Sequence, residues 1–282
     1  MTCILSMNIS GLGADHKFLA LKNLFHSAHP KIILIQETMH RTPDYIAYFR
    51  RMFPTWHIVA SEANGLSRGL AVLWNPNWTK ARAFICFVDI LISALLRGYD
   101  APINILNIYG PCKDKLPFWE KLLSSELFDI DSLMIAGDLN ITLNFEEVWG
   151  NGRRKDSLVD HIKNEMMHRN LIDICPSRMQ PNWDIGRIYG AYIAKRLDRF
   201  ILHVGIIDRL GMPKSFIENC FISDHRPISL RWKEQGIRKG YPFKFKRTWL
   251  ADPDFNDLTR RSWKDSPPVD NLSSSMTFID KL

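Results

Sequence analysis

SLMIAGDLN, residues 132–140, is the stretch on which the reading of this chain turns. Leu133, Met134, Ile135 and Ala136 have the make-up of a strand buried on both faces, and such a strand has no place for a carboxylate. Asp138 therefore belongs where the strand emerges. Open α/β sheets hold ligands at the carboxyl ends of their strands, so an acid and an amide two residues apart there, Asp138 and Asn140, suggest a site. Gly-Asp and Asn are also ordinary turn residues, and this stretch alone leaves a plain turn open.

Outward from it, other strands end in the same way. CILSMNI alternates like a strand, carries Asn8 near its end and is broken by GLG; KIILIQET ends in Glu37; INILNIYGPC reaches a polar group at Tyr109. Between the first two, residues 14–28 place Phe18, Leu21, Leu24 and Phe25 on one helical face. RGLAVLW and FICFVDILISALL read as sheet strands, and PFWEKLLSSELF as a helix. The segment from Ser157 has Ser157 and Asp160 in a capping-box spacing, with Leu158, Ile162 and Met166 at helical intervals. RLDRFILHV and PISLRW close the series of strands. The alternation gives an α/β protein, and the strand-after-strand run from residue 69 to 109 makes the sheet mixed. After residue 231 the apolar periodicity weakens and Pro, Ser and Asp become frequent, which ends the domain near Trp232.

Composition narrows the function classes. The 282 residues suffice for one large core with an appendage. No run approaches the roughly 18 apolar residues of a membrane span, and the N-terminus has neither a basic leader nor a cleavage site, so the expectation is an intracellular protein, not secreted, with no membrane partner. Five cysteines, odd in number and never in a CxxC pair, argue for a reducing compartment and against zinc. A formal charge of +7 favours a polyanionic partner. Residues 231–247 hold seven Lys or Arg interleaved with Trp232, Tyr241, Phe243 and Phe245; this suits nucleic acid, and a solvated linker is the alternative.

Taken singly, the polar strand ends are weak signals. A Glu after a strand can be a solvated terminus, Asp198 beside Arg196 and Arg199 can belong to a surface ion pair, and Tyr109 can be a packed aromatic before a turn. Ser223, Asp224 and His225 can cap a turn. In order, however, Asn8, Glu37, Tyr109, Asp138 with Asn140, Asp198 in KRLDRFIL and Ser223-Asp224-His225 before the last strand resemble the endonuclease/exonuclease/phosphatase superfamily over most of residues 4–231. The resemblance implies a deoxyribonuclease I-like fold: a four-layer α/β sandwich of two packed mixed sheets flanked by helices. The wording QET, NIYGP, GDLN, RLDRF and SDHRPISL is closer still to the endonuclease domain of plant LINE-type non-LTR retrotransposons. Residues 232–282 would then be a basic, aromatic connector towards a reverse transcriptase, which these residues do not include.

What the resemblance implies for roles agrees with what phosphodiester hydrolysis needs: a Lewis acid, a positioned water and stabilisation of the leaving oxygen. Glu37 would be a metal ligand with Asn8 adjacent and Asp224 assisting, for Mg²⁺ or Mn²⁺. Asp138 would orient or deprotonate the attacking water and Asn140 donate to the phosphate. His225, held by Asp198, would face the phosphate as imidazolium. Tyr109 would donate to the phosphate or leaving group, and Asn182 and Ser223 would bind substrate.

The departures are Met7 where relatives carry Trp, Ser10 where abasic-site enzymes carry an acid, Asn182-Trp183 for Thr-Trp, and NFEEVWG, which puts Glu146 and Glu147 near a phosphate path. The expected function is an Mg²⁺-dependent DNA nickase leaving a 3′-hydroxyl, acting in the nucleus with no obligate protein partner. The alternatives are a phosphoesterase on lipid or inositol phosphates and an idle nucleic-acid-binding remnant.

Overall fold

A computed structural model describes residues 2–11, 15–39, 42–61, 69–86, 89–150, 154, 156–185, 192–220 and 223–233, together with 255, 257 and 260. The chain divides into a unit of residues 1–234 and a unit of residues 235–282. Of the second unit, the three described residues are helical. Most of the basic, aromatic connector therefore lies outside the described residues.

In the first unit the order is β1 (Thr2–Asn8), α1 (Asp15–Ala28), β2 (Ile32–Gln36), α2 (Thr42–Met52), β3 (His57–Ser61), β4 (Leu70–Trp74), β5 (Thr79–Cys86), β6 (Asp89–Leu96) and β7 (Ile103–Tyr109). It continues with α3 (Lys115–Leu123), β8 (Leu133–Asp138), β9 (Val148–Gly150), α4 (Val159–His168), β10 (Leu171–Asp173), β11 (Trp183–Asp184) and β12 (Ile193–Lys195). β13 (Asp198–His203), α5 (Val204–Leu210), β14 (Lys214–Ile217) and β15 (Ile228–Trp232) complete it.

Two six-stranded mixed sheets result, ordered β14-β15-β1-β2-β4-β3 and β10-β13-β8-β7-β6-β5. Each has one parallel pair near its centre, β1 with β2 and β7 with β8, and each pair is joined by a helix, as a parallel crossover requires. The remaining neighbours are antiparallel. A small third sheet, β11-β12-β9, stands apart from both.

Burial explains the layering. One apolar cluster, including Ile4, Leu34, Val72, Ile92, Ile105 and Phe200, fills the space between the two large sheets. A second joins the outer face of the first sheet to α1 and α2 through Leu21, Phe25, Ile33 and Phe49. The third joins the second sheet to α3 and α4 through Trp119, Ile135 and Ile162. With both faces covered, β1, β2, β4 and β8 are buried along their whole length, which is why they read as unbroken apolar runs. The result is the expected four-layer α/β sandwich, helices outside and sheets within.

A polar contact crosses the sheet interface. Gln36 Nε2 donates to Asn107 Oδ1 at 2.6 Å, and Asn107 Nδ2 donates to the carbonyls of Ile35 and Ala71. Both side chains are fully buried.

Two local expectations change. FICFVDILISALL holds the end of β5 and all of β6, two strands that pair antiparallel from Thr79–Leu96 to Cys86–Asp89, because two strands of one composition meet where periodicity shows no break. Ser157 and Asp160 form no capping box: α4 begins after Leu158, whose N–H donates to Asp156 Oδ1. The capping box is formed instead by Asn144 and Glu147 around the short 3₁₀ turn Phe145–Glu147.

Candidate active site

The carboxyl ends of the two parallel pairs face one cleft. From the first sheet come Asn8, the last residue of β1, and Glu37, the residue after β2. From the second come Tyr109 and Asp138, which end β7 and β8 and are register partners. Antiparallel pairing sets Asp198, the first residue of β13, directly opposite Asp138. The glycine of GDLN is required where it stands: Gly137 has φ of 137°, and a Cβ there would lie 2.0 Å from the Ile108 carbonyl oxygen.

His225 reaches this carboxylate pair from the loop before β15. Its Nδ1 is 2.8 Å from Asp198 Oδ2 and its Nε2 is 3.6 Å from Asp138 Oδ2, with all three side chains buried. The ring is held in place by its own backbone. His225 N–H donates to Ser223 Oγ, Ser223 Oγ–H lies within reach of the Asn8 carbonyl at 2.8 Å, and residue 225 forms an isolated antiparallel bridge with Trp183.

Asp138 is gripped from two sides. Asn8 Nδ2 donates to its Oδ2 at 3.1 Å and the Asn140 N–H to its Oδ1 at 2.9 Å. Burial pushes its carboxyl up to about 7, with the charge of Asp198 adding to the rise and His225, Asn140 and Asn8 opposing it. For His225, burial disfavours the cation, but the carboxylates of Asp198 and Asp138 outweigh it and raise the imidazole to about 10. Tyr109 is likewise raised, by burial first and then by Glu37, so the phenol keeps its proton.

A third group surrounds Ser10. Its hydroxyl lies 3.2 Å from Glu37 Oε2 and 3.1 Å from Asp224 Oδ1, so one oxygen joins two carboxylates from different segments. Trp183 Nε1 donates to the other oxygen of Asp224 at 3.0 Å. Ser10, Glu37 and Asn140 all have left-handed backbone, with φ of 42°, 55° and 52°. Three non-glycine residues in that region around one cleft mark a place where the fold imposes local strain to aim side chains.

The cleft has a volume of about 370 Å³ and is lined by Glu37, Tyr109, Asp138, Asn140, Asp224 and His225, together with Ser10, Cys112, Lys115, Trp183, Lys195 and Leu197. Among the sequence-predicted residues, three also make bonds that hold the site together. Asn8 accepts the Ser10 N–H on its amide oxygen and donates to Asp138, so its side chain also positions the base and the loop that follows β1. Asn182 is buried, accepting the N–H groups of Leu197 and Asp198 and donating to the Asp198 carbonyl, so it fixes the start of β13 and presents nothing to a phosphate. Ser223 spends its hydroxyl on the loop that carries His225.

Glu147 also departs from expectation. It is buried against Arg196 and Arg199, which also pair with Asp173. Burial would raise the Glu147 carboxyl, but the two guanidiniums hold it down at about 2. The arginines flanking Asp198 thus form a buried network, and Asp198 itself takes His225.

Lys115, Lys195 and Cys112 line the cleft without any local sequence signal of a catalytic role, because they come from segments whose convergence is tertiary, and Trp183 joins them there. Lys115 Nζ contacts the Asn140 carbonyl at 2.6 Å and Asp156 at 2.5 Å. Among the described residues no group of three or more His, Cys, Asp or Glu is arranged around one ion position. Glu37 and Asp224, two hard carboxylates sharing the Ser10 hydroxyl, nevertheless suit a cation such as Mg²⁺ that keeps most of its waters and needs few protein ligands.

Residues 5–225 match the Endonuclease/Exonuclease/phosphatase family, and the chain belongs to it. Members of that family are hydrolases that act on phosphodiester bonds. Among solved structures, the endonuclease domain of TRAS1, a telomere-specific non-LTR retrotransposon, superposes with a TM-score of 0.63 at 14% identity, covering 84% of this chain and 100% of that one. An AP endonuclease from Archaeoglobus fulgidus gives 0.63 at 18% identity over 83% and 100%. A variant of the 3′ phosphatase NExo from Neisseria, bound to a product DNA hairpin, gives 0.59 at 16% over 83% and 100%. At these identities the likeness is one of fold. No curated protein matches the chain.

Proposed function

We propose that this protein is a metal-dependent DNA-nicking endonuclease, of the kind a LINE-type retrotransposon uses to expose a 3′-hydroxyl primer in nuclear DNA. The observation that carries the reading is His225 held between the paired carboxylates Asp198 and Asp138, in one cleft with Glu37 and Asp224. Such a constellation supplies a base and a charged donor side by side.

In this reading Asp138, with its carboxyl near 7, takes the proton of the attacking water at neutral pH. His225 stays cationic and stabilises the charge that grows on the phosphoryl oxygens, while Asp198 fixes the ring. Tyr109 lines the same cleft as a further donor to the phosphate or leaving oxygen, while the Asn140 amide donates to the Gly110 carbonyl at 2.7 Å and to Asp138 Oδ2 at 3.3 Å and so orients the base. Glu37 and Asp224 would hold Mg²⁺ or Mn²⁺, which supplies Lewis-acid polarisation when bound. Lys115, Lys195 and Trp183 on the cleft wall favour a polyanionic, base-bearing substrate over a small phosphomonoester.

Supercoiled plasmid incubated with the purified chain tests this. Open-circle product with Mg²⁺ and none with EDTA is the expected result, and the new end should prime a polymerase without phosphatase treatment. Nicking that survives EDTA would remove the metal-dependent reading. Turnover of an inositol phosphate with intact plasmid would replace DNA as the substrate.

A further inference from the structure

At the other end of the first sheet from Asn8 and Glu37 lies a second cavity, of about 640 Å³. Lys31, just before β2, and Asn75, just after β4, mark the place, and β2 alone separates it from the cleft by roughly 16 Å. Its floor is aromatic: Phe53 lies 5.1 Å from Phe25 and 4.4 Å from Trp56 between ring centroids, and Phe53 and Trp56 are only partly buried. Around it stand basic side chains. Lys22 and His26 are one turn apart on the exposed face of α1, His29 follows the helix, and Arg51 lies in the last turn of α2. Lys31 joins them from above the Trp78 ring, 4.1 Å from its centroid. No Asp or Glu is found among the described residues that line the cavity.

Basic residues in the last turn of a helix complement its dipole, which accounts for His26 and Arg51, and the Trp78 ring accounts for Lys31. Neither accounts for Lys22 in the middle of α1 or for the half-open aromatic rings beside it. Cations collected in one concavity with no acid repel each other, and exposed rings forgo burial; an anion bearing a flat ring relieves both. The volume is that of a small-ligand site. We propose that this cavity binds one nucleotide unit, its base against Trp56 and Phe53 and its phosphate on Lys22 and Arg51. Such a unit can come as a free mononucleotide or within a single strand of nucleic acid. The site is separate from the phosphodiesterase cleft and stands whether or not that cleft nicks DNA.

The full chain in EDTA should bind AMP in equilibrium dialysis, or fluorescein-labelled octathymidylate by anisotropy, with one site attributable to this cavity. A Lys22→Glu/Arg51→Glu variant, altered at two exposed side chains, should lose at least tenfold in that affinity while keeping its melting temperature and its plasmid-nicking rate. A Lys80→Glu/Arg82→Glu variant carries the same charge change on exposed positions of β5 and should bind as the parent does. Binding of AMP identifies a mononucleotide site, and binding of the oligonucleotide alone identifies a strand site. Binding of neither ligand, equal affinity in the cavity variant, or an equal loss in both charge variants would overturn the proposal.

Discussion

His225 Nδ1 stands 2.8 Å from Asp198 Oδ2 while the opposite ring nitrogen points to Asp138, so one imidazole links two carboxylates that face each other across adjacent strands. Asp198 thereby determines which nitrogen turns toward the cleft, and it holds the ring charged where burial alone would neutralise it.

The pH dependence of nicking follows. A base must be deprotonated, so kcat/KM should rise through about pH 7 as Asp138 ionises. The charged donor must keep its proton, so the rate should fall as pH approaches about 10 and His225 is neutralised. The two limbs belong to a coupled pair. Asp198→Asn removes the main influence raising His225, and its falling limb should move to lower pH; a profile unchanged by Asp198→Asn would separate His225 from the alkaline limb.

Asp138→Asn keeps the shape of the side chain and removes the base. The variant should fold and bind DNA as the parent does, with nicking reduced roughly 10²- to 10⁴-fold. Single-turnover rates with enzyme in excess over DNA measure this directly. Near-parental rates would return SLMIAGDLN to the status of a turn.

Glu37→Gln weakens a hard-cation site while leaving Asp138 and His225 in place. Activity lost at low Mg²⁺ should recover in part as Mg²⁺ is raised. A titration in which the maximum falls with no change in the half-saturating Mg²⁺ concentration would assign Glu37 another role.

The buried network of Arg196, Arg199, Glu147 and Asp173 predicts an effect on stability. Glu147→Gln leaves two buried guanidiniums short of a counter-charge and should cost about 3–5 kcal/mol in denaturant unfolding. Because the folded-state carboxyl is held at about 2, below its ordinary 4.5, its contribution is full above pH 4.5 and is lost as pH falls towards 2. The difference in stability between parent and variant should therefore shrink over that window. A variant of parental stability that has lost DNA affinity would instead put Glu147 on a phosphate path.

Those four residues also show where sequence reading stops. Asp138, Glu37 and Tyr109 were legible because each interrupts or ends a buried apolar run, and a carboxylate or phenol there has to emerge somewhere. For Asn182 and Ser223 the sequence leaves the role open, since side chains that fix a loop and side chains that bind a phosphate are the same residue types; their bonds to the Asp198 and Asn8 carbonyls become visible only in the fold. Lys115 carries no local signal at all, lying in the cleft through a contact to Asn140, 25 residues distant, and the contact of Trp183 to Asp224, 41 residues distant, is equally tertiary. Nor did Glu147 announce its partners, 49 and 52 residues away. The hairpin of β5 and β6 escaped because its two strands share one composition.

Dispersion between two apolar sheets is nearly indifferent to a small slip of one past the other, whereas the hydrogen bond from Gln36 to Asn107 has one length and one direction. It lies one residue behind Glu37 on one strand and two behind Tyr109 on the other. Each sheet carries half of the candidate chemistry, so this bond acts as a dowel between two half-sites and sets their alignment from below. A rim segment such as the one that begins α3 and bears Lys115 can then be rebuilt for another phosphoester while the strands beneath it keep their alignment.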